Sequence, residues 1–191
     1  MIEVAQFVLG AKGAGQDRVA VLRSRDGVVV ALADGAGGTS GGAAAAEEAV
    51  RLASRGQAPW MSLIQGIDKN GAGGQCALVV VAVKGAKLVG ASAGDCGAWL
   101  ITEKVVKLTE HQIRKPLVGS GQAVAIAFEA DFAGTLLLAS DGLFNYVQPE
   151  LIVACARKAD LQAAAEALAN LPRLRSGKLP DDVSVVLCRM S

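Results

Sequence analysis

Aspartates stand at the ends of apolar runs along this chain. Asp34 follows Val28-Val29-Val30-Ala31-Leu32-Ala33, Asp95 follows Leu88-Val89-Gly90-Ala91-Ser92-Ala93-Gly94, and Asp141 follows Leu136-Leu137-Leu138-Ala139-Ser140. The pair Asp181-Asp182 opens Val183-Ser184-Val185-Val186-Leu187. Each run reads as a buried strand that carries its carboxylate to one end. Acids delivered to one place by rigid strand ends repel one another unless a cation lies between them. His111 is the only histidine, and Cys76, Cys96, Cys155 and Cys188 form no CxxC pair. A metal site here must therefore be built from oxygen, which suits Mg²⁺ or Mn²⁺.

Four other features could carry chemistry. The glycine-rich loop from Gly35 to Gly42 has the strand–loop–helix shape of a nucleotide site. Its glycines do not fit GxGxxG, no lysine supplies a P-loop, and Asp34 would push a carboxylate toward a phosphate. Gly38-Thr39-Ser40-Gly41-Gly42 matches GxSxG, and Ser40, Asp95 and His111 occur in the chain order of a serine hydrolase. An elbow serine must sit directly on the strand-to-helix turn, whereas this strand ends near Asp34. Ser40, with Thr39, reads better as a helix N-cap. His111 reads as a surface or hydrogen-bonding residue. Lys12, set among Gly13, Ala14 and Gly15, is either a plain surface lysine or an anion contact before Asp17.

The elements that must position these residues fall into blocks. Residues 2–10, 17–23 and 28–33 read as strands, the last two joined at a turn around Ser24-Arg25-Asp26-Gly27. A helix is expected from Ala43 to about Ser54, and a second beginning at Pro59, a favourable first helical position. Strands near 75–83, 86–93 and 97–102 form a meander, and two more run over roughly 122–129 and 134–140. Helices near 149–157 and 160–170 precede a last strand over 183–189. Strands in blocks with helices in pairs argue for α+β layers over a doubly wound sheet.

Composition excludes several classes. The chain has 191 residues, enough to bury a sizeable core, and reads as one domain over 1–191. Its 19 basic and 18 acidic residues are mixed along the chain, unlike the basic face of a nucleic-acid binder. No apolar run is long enough to span a bilayer, since Lys84 and Lys87 break the stretch from Ala77 to Ala93. The N-terminus shows no basic segment followed by an apolar one, so no signal peptide is expected. Four widely spaced cysteines fit buried thiols in a reducing cytoplasm.

Taken in order, the segments carry a joint resemblance. Gly15-Gln16-Asp17-Arg18 and Ala33-Asp34-Gly35-Ala36-Gly37-Gly38 look like the opening motifs of the metal-dependent PP2C-type (PPM) protein phosphatases. Gly74-Gln75-Cys76-Ala77 resembles that family's glycine–threonine strand, Ala93-Gly94-Asp95-Cys96-Gly97-Ala98-Trp99-Leu100 its GDSRxYL segment, and Leu108-Thr109-Glu110-His111 its LTxDH. Leu136 to Leu143 is similar to LLLxSDGL, and Pro180-Asp181-Asp182-Val183-Ser184-Val185-Val186 to the closing D(D/N)xTVV. The resemblance implies an αββα sandwich: two central antiparallel sheets flanked by helices, with a binuclear Mg²⁺/Mn²⁺ site at one edge. Carried over, Asp34 would bridge the metals and the carbonyl of Gly35 would ligate one. Asp141 and Asp181 would hold the other metal, and Asp17 would act through water. Asp95 matches the acid of a third, weaker metal site in bacterial members, and Asp182 stands where many members have asparagine.

The departures are equally specific. Glutamine at 16 replaces the family's glutamate, as in bacterial relatives. Lys12 stands where a phosphate-binding arginine is expected, keeping the charge but losing bidentate geometry. Ala36 stands where some members carry a histidine proposed as general acid. Only seven residues separate His111 from Gly119, where typical members insert a flap. That shortening resembles the minimal bacterial phosphatases of partner-switching regulation. It implies a narrow protein substrate, a phosphorylated regulatory protein, and the enzyme is expected to be monomeric and, from its cysteines and N-terminus, cytoplasmic. A PP2C-like binding or sensor module without catalysis, and a hydrolase built on Ser40, are the alternative readings.

Overall fold

The computed structural model describes residues 1–37, 41–71 and 73–190. Its elements run β1 (Ile2–Leu9), β2 (Arg18–Arg23), β3 (Gly27–Gly35), α1 (Gly42–Arg55), α2 (Trp60–Lys69), β4 (Cys76–Lys84), β5 (Lys87–Ala93), β6 (Gly97–Ile101) and β7 (Val105–Lys107). After these come β8 (Ile126–Asp131), β9 (Thr135–Ala139), α3 (Asp141–Phe144), α4 (Pro149–Ala156), α5 (Leu161–Asn170) and β10 (Val183–Met190). Two five-stranded antiparallel sheets result, ordered β1-β10-β9-β6-β7 and β2-β3-β4-β5-β8.

The layering follows from the two-residue period of the strands. In β3, Val28, Val30 and Leu32 face the space between the sheets, while Ala31 and Ala33 face α1 and α2. In β9, Leu136 and Leu138 enter the same central core, while Leu137 and Ala139 face α4 and α5. Both faces of the inner strands are therefore covered, which explains the unbroken apolar runs of β3, β4, β9 and β10. The helices are rich in alanine on the covered side. Ala45, Ala46, Ala49 and Ala53 of α1, and Ala164, Ala165 and Ala169 of α5, are buried. Small side chains let a helix axis lie close to a sheet and leave no cavity beneath it. This is the αββα sandwich that the resemblance implied.

Local departures from the sequence reading have physical causes. β8 begins at Ile126 instead of 122, because Ala123 donates its N–H to the Asp68 carboxylate (3.0 Å) and not to a strand. β7 is a three-residue edge strand with every residue exposed, too short to show a period. α3 is a four-residue helix that follows β9 directly. Pro59 caps α2 from outside, and the helix proper starts at Trp60. At α1 the N-cap position is Gly41, with φ of 96°. The expected caps Ser40 and Thr39 lie outside the described residues. No helix among them is long and apolar enough to cross a membrane.

Candidate active site

Chain ends of both sheets open onto one cleft of about 700 Å³. Asp34 lies near the end of β3, paired with Ala77 of β4, and Gly35 pairs with Cys76. A side chain at Gly35 would run into the carbonyl of Gly42, so glycine is what lets α1 start against the strand end. Asp95 occupies the turn between β5 and β6. Asp141 opens α3, and Asp181 and Asp182 lead into β10. Two bonds tie these last segments together: the Ser140 N–H donates to the Ser184 carbonyl (3.1 Å), and the Ser184 N–H to Ser140 Oγ (3.0 Å). Gly142 seals the approach, since any side chain there would strike the Asp182 carbonyl. Asp34, Asp95, Asp141, Asp181 and Asp182 all line the cleft.

The electrostatics are those of crowded acids. Burial, then the charges of Asp17, Asp141, Asp95 and Asp181, push Asp34 up to about 9. Asp141 is raised by burial, then by Asp95 and Asp181, although Asn145 Nδ2 donates to its Oδ2 at 2.8 Å. Asp17 lies behind the cleft, 2 % exposed, and burial raises it to about 6. The hydroxyls of Ser140 and Ser184 hold that rise back, yet neither carboxylate oxygen of Asp17 has a hydrogen-bond partner of ordinary geometry. Two orphaned buried oxygens beside mutually repelling acids are an arrangement that a hard cation relieves. Among the described residues no three His, Cys, Asp or Glu side chains form a ready-closed metal cage. Asp34, Asp95, Asp141 and Asp181 nonetheless border one cleft. The donor set itself fits Mg²⁺ or Mn²⁺: all oxygen, with Asp34, Gly35, Asp141, Asp181 and Asp95 on the cleft wall and Asp17 behind them. The neighbouring thiols are no competitors. Burial and Asp34 push Cys76 up to about 12 and Cys96 well above its ordinary range, so both stay protonated. All four cysteines are free and buried.

Asp182 has a different task from its neighbours. Its Oδ1 accepts from the Ala11 N–H (2.7 Å) and its Oδ2 from the Gln16 N–H (2.6 Å). Both oxygens are thus spent on the two ends of the loop that carries Lys12 into the cleft. Asparagine offers one acceptor at this position where aspartate offers two.

A second lysine lines the cleft, and sequence reading missed it. Lys115 sits on the loop after β7, residues 108–125, which three sets of bonds hold. Gly94 N–H donates to the Ile113 carbonyl (3.0 Å), and Val118 exchanges both backbone bonds with Cys76 (3.0 Å each). The Asp68 carboxylate, 5 % exposed, accepts from the N–H groups of Gly119 (2.8 Å), Gly121 (3.0 Å) and Ala123 (3.0 Å). A buried aspartate on α2 facing this loop was the available signal, and only the tertiary fold pairs them. His111 is exposed and does not line the cleft that Asp95 lines. Ser40, the proposed nucleophile of that trio, lies outside the described residues.

No sequence-family model matches the chain, and no curated protein matches it by sequence. Solved structures do. A bacterial serine phosphatase superposes with a TM-score of 0.84 at 18% identity, covering 100% of this chain and 98% of that one. Serine/threonine phosphatase Stp1 from Staphylococcus aureus gives 0.85 at 18%, covering 100% and 96%. The photosystem II phosphatase PBCP gives 0.81 at 20%, covering 100% and 99%. At such identity the likeness establishes the fold.

Proposed function

We propose that this chain is a metal-dependent protein serine/threonine phosphatase of the PP2C type, using two Mg²⁺ or Mn²⁺ ions and acting on a phosphorylated regulatory protein. The observation that carries this reading is the convergence of Asp34, Asp95, Asp141 and Asp181 on one cleft, with the unsatisfied carboxylate of Asp17 behind it. The fold shared with the phosphatases named above supports it. In such a site a pair of divalent cations lowers the pKa of water toward neutrality and neutralises charge on a phosphoryl group.

The chain's own residues divide the remaining work. Asp34, Asp141 and Asp181 hold the two cations together with the Gly35 carbonyl, and Asp95 serves a third, weaker position. Asp17 accepts hydrogen bonds from water and orients it. Asn145 steadies Asp141 through its 2.8 Å bond. Lys12 and Lys115 bring positive charge to the same cleft and bind the phosphoryl oxygens. Hydrolysis forms a bond from the water oxygen to phosphorus and breaks the bond to the Ser/Thr oxygen, which departs as the alcohol. With alanine at 36, the departing oxygen takes its proton from solvent.

Hydrolysis of p-nitrophenyl phosphate with Mn²⁺, with Mg²⁺ and with EDTA, alongside Asp34→Ala, tests the proposal. Metal-dependent turnover that the variant loses is the expected result. Absence of turnover together with absence of Mn²⁺ binding by calorimetry would reject it and leave a PP2C-like module without catalysis.

A further inference from the structure

We propose that a second groove, joined to the acidic cleft at Asp95, binds the stretch of substrate polypeptide beside the phosphorylated residue and selects an acidic side chain there. This rests on the phosphatase reading and names the kind of substrate that the site takes. The groove holds about 330 Å³, within the ordinary range for ligand sites. Among the described residues Asp95 alone lines both it and the main cleft. A polypeptide with its phosphoryl group in the cleft would cross Asp95 to reach the groove.

The groove's chemistry suits a peptide. Trp99 and Phe144 form its aromatic wall, ring centroids 4.7 Å apart and planes tilted by 32°. Lys107 Nζ lies 5.3 Å from the Trp99 ring centroid, a cation–π contact that fixes the ammonium over the wall. Arg114 lines the groove and is exposed. Among the described residues neither cation is in an ion pair, and Glu110, the groove's own acid, pairs with neither. Gln112 also lines the groove, with its Oε1 buried.

The dividing wall explains why both openings stay in register. Arg114 and Lys115 are adjacent on the loop after β7, yet Arg114 lines the groove and Lys115 lines the cleft. The bond from Gly94 N–H to the Ile113 carbonyl anchors that wall one residue from Asp95. The groove has two acids, Asp95 and Glu110, and two cations, Lys107 and Arg114; with Asp95 given to the proposed cation site, Glu110 alone would face the two cations. An acidic residue next to the phosphoserine or phosphothreonine is the side chain this charge balance favours.

The test uses Mn²⁺-loaded protein and a peptide carrying a non-hydrolysable phosphonate analogue of phosphoserine. The residues beside the phosphonate are made glutamate in one version and glutamine in another, and calorimetry reads the affinities. The glutamate peptide should bind about tenfold more tightly, the scale of one charge-assisted contact. Arg114→Glu should abolish or invert that ratio, with an unchanged melting temperature showing that the exposed site leaves the fold intact. Equal affinities for the two peptides, or a ratio that Arg114→Glu leaves alone, would overturn the groove. Hydrolysis of p-nitrophenyl phosphate, which has no flanking residues, separates the two readings. Metal-dependent turnover with equal affinities keeps the phosphatase and rejects the groove. A flank-dependent affinity without turnover keeps the groove as the peptide site of a non-catalytic module.

Discussion

At the scale of single residues, the proposed reading gives substrate capture to the two lysines and Asp182. Lysine at 12 offers a point charge where a guanidinium would offer a fork, and Lys115 adds a second point charge from another segment. If both only bind phosphate, Lys12→Ala and Lys115→Ala should each raise KM for an aryl phosphate by about tenfold with kcat little changed, since each removes one charge-assisted contact. A fall in kcat at constant KM would instead give that lysine a transition-state role. Asp182→Ala should act through Lys12. It strips two N–H groups of a charged acceptor, at Ala11 and Gln16, and should cost about 2 kcal/mol of stability while raising KM. Manganese affinity unchanged in Asp182→Ala would support its role as an anchor, and a large loss would make it a metal ligand after all.

Among elements, the loop between β7 and β8 is the decisive one. It runs over residues 108–125, and besides the single bridge of Val118 to Cys76 it has a buried carboxylate: Asp68 at the end of α2 gathers three of its N–H groups. Asp68→Asn keeps the shape but turns one acceptor into a donor that faces an N–H. That change should lower stability by about 2 kcal/mol and weaken phosphate capture through the displaced Lys115. A raised KM with normal kcat is the expected signature in steady-state kinetics. Normal KM despite a lowered melting temperature would mean that Lys115 is positioned without Asp68. α3 has the complementary role. Gly142 lets it touch the start of β10, which brings Asp141 beside Asp181 although they lie far apart in sequence.

For the whole molecule, the cluster of acids ties stability to pH and to cations. Without metal, Asp34 ionises near 9 in the folded chain and Asp17 near 6, against an ordinary value of 3.8. Between 3.8 and those values the unfolded chain has lost protons that the folded chain keeps. The stabilisation is therefore whole below about 3.8 and is lost as pH rises, through about 6 for Asp17 and about 9 for Asp34. In EDTA the melting temperature should fall between pH 5 and pH 8. Mn²⁺ should oppose that fall, because it binds ionised carboxylates and its binding releases protons. At a hundredfold excess over Kd the rise at pH 8 should be about 5–10 °C, and smaller at pH 5. Thermal scans with and without Mn²⁺ at both pH values check this, and a metal-induced shift larger at pH 5 would contradict the acid site.

The layers were legible in the sequence because each strand's period and each helix's alanine face is a local pattern: Val28, Val30 and Leu32 alternate with Ala31 and Ala33 whatever lies around them. The acids were legible for the same reason, since Asp34 and Asp141 follow apolar runs in the chain itself. Edges were not. β7 is three exposed residues, and residues 122–125 look like strand until Asp68 claims the Ala123 N–H and Ser120 Oγ that of Gln122. Tertiary structure alone decided how neighbours in sequence divide their tasks. Asp181 and Asp182 both line the cleft, yet Asp182 alone binds the N–H of Ala11, 171 residues away, and Lys115 enters the cleft while Arg114 lines the groove behind it. A residue's type and its element are set by local chemistry. The direction in which its side chain points is set by which distant segments pack against it, and a linear pattern does not carry that information.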